Sequence, residues 1–109
     1  MRKDNMKELF KLQAKVCKTM ANPVRMEIIY TLKEGEKTVS EMVDIIGVTK
    51  SNISQHLSVL KGAEMVRSRR DGQNIFYSIA NTKIIDACSL MREVLTDQLS
   101  ERQKLLEKL

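Results

Sequence analysis

The chain has 109 residues, 42% of them hydrophobic and 30% charged, and carries 19 Lys and Arg against 14 Asp and Glu for a net charge of +5. That length fits one domain spanning residues 1–109 and leaves no room for a second, catalytic one, and the balance is that of a folded chain rather than a disordered one. Aromatic residues make up only 4%, with no Trp, which argues against a stacking platform for single-stranded nucleic acid, while the basic excess favours a polyanionic partner.

The opening MRKDNMKELFK lacks the apolar run of a secretory signal. No stretch reaches the roughly 18 apolar residues of a membrane helix, so a cytoplasmic protein without membrane association is expected. One Pro and four Gly predict a mostly helical chain. From about residue 4 to 20, Met6, Leu9, Phe10, Val16, Cys17 and Met20 recur at three- and four-residue spacing, with Gln13 as a polar gap. This predicts an amphipathic helix with a basic outer face. Asn22 suits an N-cap and Pro23 the first position of a second helix running to about Leu32, with Val24, Ile28, Ile29 and Leu32 turned inward.

After the polar turn Lys33-Glu34-Gly35-Glu36, a short helix is expected to begin at Ser40, with Met42, Val43, Ile45 and Ile46 as its apolar face and Gly47 as its stop. Thr49 can cap a further helix, Lys50 to Lys61, ended by Gly62. Two short helices joined by a tight turn are the helix-turn-helix signature. Asp71-Gly72 then lies between two β-prone runs, Met65 to Arg70 and Gln73 to Ile79, a strong hairpin signal. Asn81 is expected to cap a last helix of about residues 82–106, striped by Ile84, Ile85, Cys88, Met91, Leu95 and Leu99. The fold class is therefore mostly α with a small β-hairpin, a winged helix-turn-helix.

In that arrangement the second helix of the pair enters the major groove and the ribbon approaches the backbone or minor groove beside it. Ile53, Leu57 and Leu60 form the inner stripe of that helix, with Val59 beside them. The outer positions are then Thr49, Lys50, Ser51, Asn52, Gln55 and His56, with Ser54 on the flank. Asn and Gln pair bidentately with adenine, and hydroxyls and a helix N-terminus suit phosphate. A face chosen only for solubility would carry Glu, and no acid stands between Lys50 and Lys61. The ribbon adds Arg67, Arg69 and Arg70, with Gln73 and Asn74 past its turn. A charged strand edge that blocks aggregation is the plain alternative for those arginines; beside such a helix, phosphate contact is the better reading.

These residues resemble those of a known family. Thr49 to Lys61, with Ser54-Gln55-His56-Leu57 at its centre, is similar to the recognition helix of the ArsR/SmtB repressors. Ala21-Asn22-Pro23-Val24-Arg25 resembles that family's lead-in to its second helix, and Arg69 to Ile79 resembles its wing. The resemblance covers roughly residues 7 to 100. Where many members read Gly-Leu-Val after the recognition helix, this chain reads Glu64-Met65-Val66. The resemblance implies a homodimer joined through the first and last helices, whose apolar stripes would otherwise lack a partner. It further implies a repressor that sits on an inverted-repeat, double-stranded operator and leaves it when an inducer binds. Two-fold symmetry sets the recognition helices about one DNA turn, ~34 Å, apart.

Two metal sites occur in that family. One needs a Cys-rich motif where this chain has Thr38 to Asp44 without Cys; the other needs Asp, His and Glu where this chain has Asn81, Lys83, Val94 and Asp97. Neither set fits zinc, so no metal and no cofactor is expected. Cys17 and Cys88, on the stripes of the first and last helices, are candidates for a thiol-redox or persulfide switch; the alternative is that they only fill space. A metalloid held by thiolates would want a third Cys, and the chain has two. A winged-helix module for protein interaction is the other class of function, against which the basic wing and the acid-free helix argue. An enzyme is not expected: the single His, His56, falls in the recognition motif, and no catalytic constellation accompanies it.

Overall fold

The computed structural model describes residues 2–109. In chain order the elements are α1 (Lys3–Met20), α2 (Pro23–Leu32), β1 (Lys37–Thr38), α3 (Val39–Ile46), α4 (Lys50–Gly62), β2 (Val66–Asp71), β3 (Asn74–Ile79) and α5 (Lys83–Glu107). The expected helices and hairpin are all present, with differences at their ends that have local causes.

The short helix begins one residue before Ser40. Thr38 is its N-cap: the hydroxyl accepts from the Glu41 N–H at 3.2 Å, and the Glu41 carboxylate accepts from the Thr38 N–H at 3.0 Å. This reciprocal box satisfies two of the N–H groups that a helix start leaves without partners. Gly47, at φ 82°, ends α3 as expected. Gly62, by contrast, is the last residue of α4 rather than its stop. The chain reverses at Glu64, the one non-glycine with positive φ (61°) among the described residues. There the Met65 N–H donates to the Leu60 carbonyl at 2.9 Å and the Glu64 N–H to the Lys61 carbonyl at 3.0 Å. That is a Schellman ending with a glutamate in the left-handed position that usually takes Gly, and Met65 and Leu60 close it by packing together in the core.

The hairpin turns at Gly72-Gln73, one residue later than the Asp71-Gly72 expected, because Asp71 pairs with Asn74 as the last rung of the ladder. Only Gly72 of the two loop residues has positive φ, 63°, the pattern of a loop with Gly at its first central position. The sequence reading missed a strand: β1, two residues long, pairs antiparallel with β3, giving a three-stranded sheet in the order β1-β3-β2. A two-residue strand has no alternation to read. At α5 the N-cap is Thr82 rather than the expected Asn81, because the helix starts at Lys83; Thr82 makes no side-chain cap bond, and the Asn81 Oδ1 accepts from the Lys83 N–H at 2.9 Å.

The core is Ile28, Ile29 and Leu32 of α2, Met42 of α3, Ile53, Leu57 and Leu60 of α4, then Met65 and Val66. Ile45, expected inside, is 59% exposed, as α3 turns only one narrow stripe to the core. The two long helices contribute no buried residue at all. Leu9, Phe10, Leu12 and Val16 of α1, and Leu90, Met91, Val94, Leu95 and Leu99 of α5, all lie exposed. The radius of gyration is 17.2 Å, against about 13 Å for a compact chain of this length, because α1 and α5 project from the small core. Among the described residues no helix is long and apolar enough to cross a membrane.

Candidate nucleic-acid interface

The predicted contact surface is built on α4. Ile53, Leu57 and Leu60 are wholly buried and set its roll about its own axis. Lys50, Ser51, Ser54 and Gln55 are thereby exposed along the outer face of its first turns. Thr49 caps the helix, its hydroxyl accepting from the Asn52 N–H at 3.1 Å. Its side chain thus serves the helix before it serves a ligand, while the remaining free N–H groups of the first turn keep the partial positive charge that attracts anions. No acid lies in that turn.

Two of the predicted readers differ from the rest. Asn52 is half-buried, and its Oδ1 is shielded from solvent without a hydrogen-bond partner. His56 is half-buried too, and its Nδ1 accepts from the Arg25 Nε–H at 3.1 Å, which turns that edge of the ring toward α2. The helical spacing that marks the outer face cannot resolve these flanking positions, since both sit about 100° of helix rotation from a buried Ile or Leu.

The sheet carries the second cluster. Alternation along β2 sends Val66, Ser68 and Arg70 to one face and Arg67 and Arg69 to the other. On the first face Val66 is buried, and the Lys61 ammonium donates to the Ser68 hydroxyl at 2.7 Å, joining the C-terminal end of α4 to the strand. On the second face Arg69 lies over the Phe76 ring, 4.7 Å from its centroid. Its guanidinium also grips Glu36, in the turn before β1, through both carboxylate oxygens, with Nε to Oε2 at 2.8 Å. Arg67 and Arg70 are exposed, and Gln73 and Asn74 stand exposed at the tip. Sequence reading treated the three arginines alike, whereas Arg69 has an internal partner.

The hydrogen bond from Arg69 holds the Glu36 carboxyl below the ordinary carboxylate range, and Glu36 in turn raises the pKa of Arg69. A depressed carboxyl pKa means the clasp is complete above the ordinary value and opens as pH falls through the lowered one.

The remaining predicted residues lie apart from this surface. Cys17 is exposed on α1, and Cys88 is half-buried on α5 against the core; both are free thiols. No group of three or more His, Cys, Asp or Glu side chains among the described residues is arranged to hold a metal ion.

A helix-turn-helix flanked by a basic β-ribbon is a winged helix-turn-helix, a class of DNA-binding protein. Comparison with known proteins narrows the class. Residues 22–68, from the cap of α2 into β2, match the family described as bacterial regulatory protein, arsR family. The chain is 41% identical over 102 residues to the uncharacterized HTH-type transcriptional regulator Rv0081 of Mycobacterium tuberculosis, covering 93% of this chain and 90% of that one. The crystal structure of Rv0081 superposes with a TM-score of 0.78 over 86% of this chain and 95% of the other. The transcriptional repressor SdpR of Bacillus subtilis is 36% identical over 76 residues, 70% of this chain and 84% of its own. The homodimeric winged helix-turn-helix domain Mb0332 of Mycobacterium bovis, solved by NMR, gives a TM-score of 0.79 at 28% identity, over 92% of this chain and 93% of that domain. The chain belongs to the arsR family of bacterial regulatory proteins: it is a DNA-binding transcriptional regulator and not an enzyme.

Proposed function

We propose that this protein is a homodimeric cytoplasmic repressor that binds an inverted-repeat operator through α4 and the β2–β3 wing. The observation that carries the reading is the acid-free outer face of α4 beside a ribbon bearing exposed Arg67 and Arg70. Gln55 reads base edges; Thr49, Lys50, Ser51 and Ser54 hold phosphates at the helix N-terminus; Asn52 and the Nε2 side of His56 flank them. Arg67, Arg70, Gln73 and Asn74 follow the backbone from the wing, and Arg69 joins them when a phosphate displaces Glu36. The exposed stripes of α1 and α5 form the dimer seam, a reading supported by the homodimeric state named for Mb0332.

Operator binding measured by fluorescence anisotropy against salt tests this reading. Gln55→Ala is expected to lose discrimination among operator sequences, since a bidentate contact is worth about 1–3 kcal/mol of base choice. Arg70→Ala should weaken every sequence alike and flatten the salt slope by about one unit. Unchanged operator preference in the Gln55 variant contradicts the base-reading role. Glu36→Gln should act in the opposite direction to Arg70→Ala, freeing Arg69 for phosphate and steepening the slope by about 0.9; a slope equal to wild type would mean that Arg69 stays on its own sheet.

For the signal, the reading is a thiol switch. Cys17 and Cys88 are free and sit on the two helices whose stripes lie bare, so oxidation there would alter the dimer seam and hence the recognition-helix spacing. Peroxide or polysulfide treatment is expected to release operator DNA with both thiols consumed in the mass spectrum. Retained binding with modified thiols assigns both cysteines to packing.

A further inference from the structure

We infer that Arg25 is a positioning residue of the operator-reading surface, fixing His56 as its Nε2–H tautomer and tying the middle of α4 to the end of α1. The inference rests on the proposed reading of α4 as the recognition helix and adds to it how that helix is held.

The arrangement starts from the corner between α1 and α2. Ala21 and Asn22 leave the helical conformation, and the Asn22 Oδ1 accepts from the N–H groups of Val24 and Arg25 at 2.9 and 3.2 Å. Arg25 is therefore anchored by its backbone in the first turn of α2. From there its half-buried side chain reaches both neighbours. Nη1 donates to the Thr19 carbonyl, near the end of α1, at 3.0 Å, and Nε donates to the His56 Nδ1 at 3.1 Å.

A guanidinium is always a donor and never an acceptor, so the His56 Nδ1 must present its lone pair, and in the neutral ring the proton then sits on Nε2. One planar group thus joins three helices. The Thr19 bond takes up a carbonyl that the last turn of α1 leaves without an intrahelical donor. The His56 bond is charge-assisted and partly shielded from water, which makes it stronger than an exposed neutral one. The consequence is directional. A shift of the α1 end, which carries one side of the proposed dimer seam, is passed through one planar guanidinium to the residue immediately after Gln55. Lysine cannot replace Arg25, because a single ammonium lacks the planar fork that meets both acceptors.

The Arg25–His56 link can be tested by a double-variant comparison. With folding checked by circular dichroism, Arg25→Lys and His56→Ala are each expected to lose about tenfold or more in operator affinity, the loss typical of a hydrogen bond to a charged group. Because the two side chains act through one bond, the double variant is expected to lose no more than about threefold beyond the larger single loss, and losses that multiply overturn the inference. His56 is the only histidine in the chain, so long-range proton–nitrogen correlation spectra of the free, full-length protein report its tautomer without ambiguity. Nε2–H with a bare Nδ1 is expected, and an Nδ1–H tautomer overturns the inference. If the wild type binds no DNA at all, the proposed function fails, while the spectrum still decides the Arg25–His56 link.

Discussion

Leu95→Glu is expected to convert the protein to a monomer and to abolish operator binding, without unfolding the helix-turn-helix. Leu95 is 52% exposed in the single chain, and α5 has no buried residue, so a carboxylate there meets water and costs the isolated protomer little. In a two-fold dimer sealed by α1 and α5 the same change occurs twice at one seam, and each charge would lose its hydration without a partner. Reading two half-sites needs two recognition helices held at fixed spacing, so operator affinity should fall by at least about a hundredfold, equivalent to about 2.7 kcal/mol. Sedimentation velocity gives the oligomeric state and anisotropy the affinity. A variant that still sediments as a dimer and binds the operator normally would move the seam off this stripe.

Leu57→Ala should produce the largest loss of fold stability. Leu57 is wholly buried on the inner face of α4, within the cluster formed by Ile28, Ile29, Leu32, Met42, Ile53, Leu60, Met65 and Val66. Removing its branched end leaves a cavity that a close-packed core fills only in part. The expected cost is about 3 kcal/mol, or a drop in Tm of roughly 10–20 °C in a domain of this size. Ser54→Ala, on the exposed face of the same helix, is the control. It should leave Tm within a few degrees, since surface changes of this kind stay within about 0.5 kcal/mol. Thermal unfolding followed by circular dichroism separates the two. Equal effects would mean that α4 is rolled differently about its axis.

The contrast between Leu57 and Ser54 was open to sequence reading because it is local. The apolar positions of α4 repeat at helical spacing, and Asn22, Gly47 and Thr49 punctuate the helices through bonds that reach only two to four residues. Thr38 and Glu41 form an equally local signal, a Thr-x-x-Glu box, and reading it would have corrected the predicted start at Ser40. The glycine of the hairpin was legible, but its register was not. Moving the turn from Asp71-Gly72 to Gly72-Gln73 depends on which residues pair across the ladder, and the pairing of Asp71 with Asn74 decides that.

The order of elements, the inner stripe of α4, the basic ribbon and the absence of acids on the outer face of α4 are legible in the sequence alone. Each follows from side-chain period, capping and turn chemistry within a few residues. Which polar side chains already have partners, by contrast, depends on packing between distant segments. Arg69 meets Glu36 across 33 residues of chain and Arg25 meets His56 across 31, and no local period links such positions. β1 likewise exists only because β3 offers it an edge. The exposed stripes of α1 and α5 belong to both levels: their spacing makes them amphipathic helices, but only the packed core, which fully buries none of their residues, leaves most of their apolar faces in need of a partner.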